Sequence, residues 1–308
     1  MSSEQRLQHL VPSSYLARFA DRRGRITVVS RARPSDRHTL KVTEAATFRD
    51  FYTLQHLEGA DRYALERALS DVEAAGLDAV RRLCDDDGQL TGEQRSSLCR
   101  LAAFQRVRGQ RVRRAGEAMS TVLQRVMPSA WTDPEGNLVD GVRRTDTGEF
   151  HPDPEHHLRT LVTSARQIER VWVNWRLRLL RFDQPVLLTS DEPVQCTKYP
   201  GGNPFEGVGA VNADEVWFPL DPRCLLVLSP RPTGGGWFDA TDQQTAAVVA
   251  NRAVAGGAYA DIFVTPGRNP LGAFDLPPVM PVVGVAAPHD FDIDGVNAPP
   301  LRVTPRRR

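Results

Sequence analysis

At 308 residues, with 41% hydrophobic and 25% charged side chains, the chain can fill one large domain or two ordinary ones and is far from a disordered composition. A formal net charge of +1 excludes a global field drawing it to nucleic acid or membrane, so any such attraction must come from a local patch. Cys84, Cys99, Cys196 and Cys224 lie far apart, without the spacing of a structural zinc site and too few for a disulfide framework. Reduced thiols in a cytoplasmic protein, with no metal, are the expectation; no signal peptide opens the chain and no window approaches the ~20 apolar residues of a membrane span.

In chain order, residues 9–20 (HLVPSSYLARFA) suit a turn into a short helix with Ser13 or Ser14 near its cap. Residues 25–30 (RITVVS) are β-branched enough for a strand, and 47–54 (TFRDFYTL) form a short aromatic segment of open type. From about Asp61 to Cys84, Leu65, Leu69, Val72, Gly76, Val80 and Leu83 recur at helical steps. A second helix is expected from Thr91, its N-cap, to about Val126, and a third from Glu155 to about Glu169. Residues 128–155, rich in Pro, Gly, Asp and Asn, form a surface excursion.

The period then changes. Alternation in 171–182 (VWVNWRLRLLRF) predicts a half-buried strand, and 185–194 a second strand that Pro193 keeps from being central. Residues 215–219 and 224–228 read as a hairpin, followed by a helix at 242–255 and a strand at 261–265. The expected fold is α+β: a mostly helical N-terminal half, about 55–170, packed on an antiparallel β-sheet from 171–265. These make one integrated domain over 1–265, with a Pro/Gly-rich tail over 266–308.

One feature breaks the pattern. The second helix carries a stripe at 98, 101, 105, 108, 112, 115, 119 and 122 whose members are small or apolar except Gln105 and Arg108. Burying an unpaired guanidinium costs several kcal/mol or more, so Arg108 needs a partner or a wet cavity. Its planar fork suits a carboxylate, with Glu73 and Asp191 as candidates, or a substrate phosphate. The same helix holds seven arginines between Glu93 and Glu117 and no acid, a solvated face or a phosphate-attracting one. Nothing in it resembles a recognition helix, zinc finger or RNP motif.

His9, just before Pro12, is either a packing residue or an acid/base near neutral pH. Asp191, in Ser190-Asp191-Glu192-Pro193 at a strand end, is either an Asx-type cap or a carboxylate orienting His9, pairing with Arg108 or joining a metal.

His9-x-x-Pro12-x-x-Tyr15-Leu16-x-x-Phe19, Phe51-Tyr52, Glu73, Gln105-x-x-Arg108, Thr189-Ser190-Asp191-x-Pro193 and Phe218-Pro219-Leu220 fall in one order. This series resembles the prokaryotic family called domain of unknown function 4238, over about residues 9–265. Ser13-Ser14 and Leu10 depart from its pattern without touching His9 or Asp191. The resemblance implies a single integrated domain, with relatives among bacterial defence genes, and names no cofactor. Two functional expectations follow. In the first, a hydrolase acts on a phosphate-bearing substrate such as nucleic acid, with His9 and Asp191 catalytic, Gln105, Arg108, Ser190 and Tyr15 binding substrate and Glu73 supporting them. In the second, a non-catalytic anion-binding or sensor module contains a structural buried Arg–carboxylate pair.

Overall fold

The computed structural model describes residues 7–49, 51–52, 63–86, 88–116, 132–133, 135–138, 142–144, 150–152, 154–199, 208–231, 236, 238, 241–272 and 276. The protein is α+β with antiparallel sheets, as the pattern predicts. It divides into two compact units, one of residues 1–109 and 162–278 and the other of residues 110–161 and 279–308.

The first unit holds two four-stranded sheets and a helical hairpin. Strands β1 (Leu7–His9), β2 (Arg25–Ser30), β3 (Arg37–Lys41) and β4 (Thr47–Arg49) precede the helices, with the short helix α1 (Ser13–Leu16) after β1. Helices α2 (Ala64–Cys84) and α3 (Gly92–Val107) then pack as a hairpin. They pack tightly at Gly76, where an added Cβ would collide with Leu101. Thr91 caps α3 in a reciprocal box, its hydroxyl accepting from the Gln94 N–H at 3.2 Å while the Gln94 side chain accepts from the Thr91 N–H at 3.1 Å.

In the second unit, strands β5 (Val142–Arg144) and β6 (Phe150–Pro152) form a hairpin within the expected surface excursion. Helix α4 (Pro154–Trp172) follows in the chain, and the first unit then continues with strands β7 (Arg176–Arg181), β8 (Thr189–Ser190), β9 (Gln195–Thr197), β10 (Glu215–Asp221) and β11 (Cys224–Ser229), helix α5 (Gln243–Gly257) and strand β12 (Asp261–Val264). One sheet runs β7-β11-β10-β9 and the other β3-β2-β12-β8, with β10–β11 the expected hairpin. The first half of α5, through Ala246, Ala247 and Ala250, packs with Trp217, Leu225 and Val227 of the first sheet. Its second half, through Val254 and Ala255, packs with Val29, Ile262 and Val264 of the other. The second sheet therefore joins N-terminal strands β2 and β3 to the C-terminal β12, so the strands do not all come from the later half of the chain.

Three expected boundaries move. The helix opening at Thr91 stops at Val107; Arg108 is its C-cap, helix resumes over 110–116, and the remainder of the expected span lies outside the described residues. The alternation at 171–182 is a strand only from Arg176: Val171 and Trp172 finish α4, and the Trp172 indole N–H donates to the Ala210 carbonyl at 2.7 Å. Of 185–194, only Thr189–Ser190 is strand. Most of the expected tail, residues 277–308, lies outside the described residues.

Candidate functional site

Strand β1 pairs with β4, His9 opposite Thr47, and is fastened to the helical hairpin by polar groups. Gln8, wholly buried, accepts from the Tyr52 N–H at 2.5 Å and donates to Glu66 Oε2 at 3.1 Å. One residue on, the chain meets Arg108.

The Arg108 guanidinium is 1% exposed, and each of its nitrogens donates to the protein. Nη1 bonds Glu73 Oε1 at 2.5 Å, Nη2 bonds the His9 carbonyl at 2.7 Å, and Nε bonds the Leu10 carbonyl. Tyr52 lies alongside, its ring centroid 5.8 Å from the guanidinium carbon. Burial opposes the charge on Arg108, but Tyr52 and Glu73 outweigh it and raise its pKa. Glu73 keeps 21% of its side chain exposed, so the pair has a dry cationic end and a wetter anionic one.

The sequence stripe is therefore buried where it matters. Leu98, Leu101, Gln105 and Arg108 are all nearly inaccessible, whereas Val112 is half-buried and Ala115 exposed. Gln105 sits one turn before Arg108 on the same helix face and is 1% exposed. Neither its side-chain nitrogen nor its oxygen has a hydrogen-bond partner among the described residues. A buried primary amide without partners costs about 1–3 kcal/mol, so its environment asks for a water or a ligand.

His9 contributes more than its carbonyl. Its half-buried imidazole Nε2 lies 3.2 Å from the Thr43 carbonyl. Burial depresses its pKa below 6.5; the Thr43 bond and Glu73 raise it and Arg108 lowers it. Glu66, also half-buried, has its pKa raised by burial and by Glu73, against the bond from Gln8.

Glu192 completes the cluster. It is 2% exposed and reaches Gly109, where an added Cβ would coincide with its carboxylate. Glycine at 109, just past the end of α3, leaves the room that this carboxylate occupies. The field at Tyr52 is set by Arg108, Glu73, Glu192 and Glu66, and its phenol is pushed up to about 12, chiefly by burial. Sequence reasoning passed over Gln8, Tyr52 as a neighbour of the guanidinium, Glu66 and Glu192. Two of these carried a signal in the sequence, Tyr52 within the Phe51-Tyr52 motif and Glu192 beside Asp191.

The remaining expected site residues are held elsewhere. The Asp191 carboxylate accepts from the N–H groups of Tyr259, Ala260 and Asp261 at 2.8, 2.6 and 3.1 Å, capping the entry to β12. Burial pushes its pKa up to about 6 although the three amides pull it down. Its hydrogen bonds among the described residues run to the amides of residues 259–261, whereas that of the His9 ring runs to Thr43, so no hydrogen bond joins this carboxylate to the imidazole. Ser190 Oγ accepts from the Glu192 N–H at 3.2 Å. The Tyr15 hydroxyl is buried between Thr189 Oγ1 at 2.7 Å and the Pro219 carbonyl at 2.5 Å, tying α1 to both large sheets. The arginine run is also largely occupied. Arg95 donates to the Val173 and Trp175 carbonyls, and Arg100 pairs with Glu169 at 2.8 Å.

Among the described residues no helix is long and apolar enough to cross a membrane. No curated protein and no solved structure matches the chain. A family profile does, over residues 7–264, nearly the span on which the ordered motifs from His9 to Phe218-Pro219-Leu220 lie. The chain belongs to the family described as Protein of unknown function (DUF4238).

Proposed function

We propose that the protein is a non-catalytic binding or sensor module whose Arg108–Glu73 pair is a structural pin and whose recognition group is the Gln105 amide. The observation that carries this reading is that amide, fully buried and without a partner among the described residues, one turn from a guanidinium already engaged by a carboxylate and two carbonyls. An anion is the less favoured ligand. Arg108 is neutralised by Glu73, and Glu66 and Glu192 add negative charge around Tyr52. A primary amide offers an adjacent donor and acceptor, which suits a small neutral group of the same kind, such as a nucleobase, an amide or a polyol. Four free thiols without a disulfide among them suit a bacterial cytoplasm.

The test is thermal denaturation of the wild type and of Gln105→Leu in millimolar adenosine, guanosine, glucose, acetamide and inorganic phosphate. A neutral probe is expected to raise the wild-type midpoint and leave that of Gln105→Leu unmoved. A shift from phosphate alone, preserved in Gln105→Leu, contradicts the reading.

One observation favours the catalytic alternative, a hydrolase of phosphate-bearing substrates with His9 as its base. The imidazole is partly accessible, feels the charges of Glu73 and Arg108, and is kept neutral near pH 7 by its depressed pKa, as a general base requires. Arg108 is then a positioning residue holding the β1 backbone. Hydrolysis of a chromogenic phosphodiester by the wild type, abolished in a folded His9→Gln variant, decides for this alternative; no turnover above background in either decides against it.

A further inference from the structure

Far in sequence from the Arg108 cluster, three ligating side chains meet at one end of the first large sheet. Cys84 is the last residue of α2, Asp221 the last of β10 and Cys224 the first of β11. Asp221 and Cys224 face each other across the turn of the β10–β11 hairpin, and the end of α2 arrives beside them. Their two sulfurs and a carboxylate oxygen lie within 4.8 Å of one another. In a tetrahedral site with metal–sulfur bonds of about 2.3 Å, two thiolates stand roughly 3.8 Å apart, so these groups close on an ion by side-chain adjustment alone.

The surroundings are built to hold them. Arg18 bridges Asp221 at 2.8 Å and Asp85 at 2.7 Å, and the Arg223 N–H donates to the other Asp221 oxygen at 2.6 Å. Arg181 donates to the Leu83 and Cys84 carbonyls, fixing the end of α2, and places a guanidinium nitrogen 3.9 Å from Cys224 Sγ. Such outer contacts orient carboxylate and sulfur ligands around a metal. The cluster opens onto a cleft of about 940 Å³, also lined by Phe182, Asp183 and Pro185.

We infer that Cys84, Asp221 and Cys224 form a binding site for a thiophilic divalent cation, zinc by chemistry, with three protein ligands and a fourth position open to the cleft. Two thiols and one Zn²⁺ give a neutral dithiolate and release two protons. The metal and its thiolates then add no net charge to a neighbourhood in which Arg18 and Arg181 already face Asp85 and Asp221. An open fourth position facing Arg18, Arg181 and Arg223 favours an anion or a polarised water there. The lack of CxxC spacing does not argue against the site, because the hairpin register and the end of α2, rather than sequence proximity, bring the ligands together.

The test uses the full chain, reduced, stripped with a chelator and titrated with Co²⁺ as the spectroscopic probe and Zn²⁺ as its competitor. One Co²⁺ per chain with a thiolate-to-cobalt charge-transfer band, displaced by Zn²⁺, is expected. Cys84→Ser and Cys224→Ser should each weaken binding at least about 100-fold, whereas Asp221→Asn should weaken it about 10- to 100-fold and keep the band. A measurement on the wild type needs no variant to fold: Zn²⁺ should slow maleimide labelling of Cys84, read by peptide mass, relative to the metal-free chain. Absence of the Co²⁺ band in reduced protein, a band untouched by both serine variants, or Cys84 labelling indifferent to Zn²⁺ overturns the assignment. So does a Cys84–Cys224 disulfide whose reduction restores no metal binding.

Discussion

Replacing Arg108 with methionine keeps an unbranched side chain of similar length but removes every donor. The Leu10 carbonyl, in a residue 2% exposed, loses its guanidinium partner with little access to water, at a cost of about 1–3 kcal/mol. The His9 carbonyl belongs to a half-buried residue and Glu73 keeps 21% of its side chain in solvent, so both recover hydration in part and lose about 1 kcal/mol each. The sum, about 3–5 kcal/mol, agrees with the loss usual when one partner of a buried pair is removed. Urea unfolding at pH 7, followed by tryptophan fluorescence, reads it as a lower midpoint at unchanged slope. Glu73→Gln alone is expected to cost about 2 kcal/mol. The double variant should fall short of the sum of the singles by at least about 1 kcal/mol, because each single change strands the other charge. An Arg108→Met cost below about 1 kcal/mol, or strict additivity in the cycle, refutes the assignment of this guanidinium as a pin.

Gly109→Ala should destabilise the fold by about 1–3 kcal/mol by driving a methyl group into the Glu192 carboxylate, and Glu192→Ala in the same chain should recover most of that loss in urea unfolding. Asp191→Ala removes the acceptor for three amides and should lower the unfolding free energy by at least about 3 kcal/mol; a loss under about 1 kcal/mol contradicts its role as the cap of β12. His9 has a folded-state pKa below 6.5, so below that value the unfolded chain takes up the proton more readily than the folded one. Its contribution is present above pH 6.5 and is lost as pH falls toward the folded value. The difference in unfolding free energy between wild type and His9→Gln, measured from pH 8 to pH 5, should therefore narrow on acidification; a difference constant with pH argues against a buried neutral imidazole.

Much of this was legible in the residues. The periodicity of Leu98, Leu101, Gln105 and Arg108 placed two polar groups on an interior face, and the burial of all four follows it. Glu73 was one of two acids nominated for Arg108, and pairing needed only the α2–α3 hairpin to bring it round. The β10–β11 hairpin and α5 were likewise local in origin, set by alternation and by the Asp242 cap. What escaped the sequence is tertiary. Nothing near Gly109 announces that Glu192 will occupy the space of its missing side chain at the break in the arginine-rich helix. The run from Val171 to Arg178 satisfies strand alternation, yet Trp172 completes α4 because its indole finds a carbonyl in the distant segment at Ala210. The choice between an Asx-type cap and a site carboxylate for Asp191 waited on the position of three amides, those of residues 259–261.

The reading of this protein as a ligand-binding module rests on a side-chain amide kept from water with nothing to bond among the described residues. Equilibrium unfolding of Gln105→Leu in ligand-free buffer addresses it most directly, because leucine fills nearly the same volume without a polar atom. A gain of about 1–2 kcal/mol over wild type is the predicted result; a loss of 1 kcal/mol or more would mean that the amide is satisfied within the fold and that no ligand is needed to explain it.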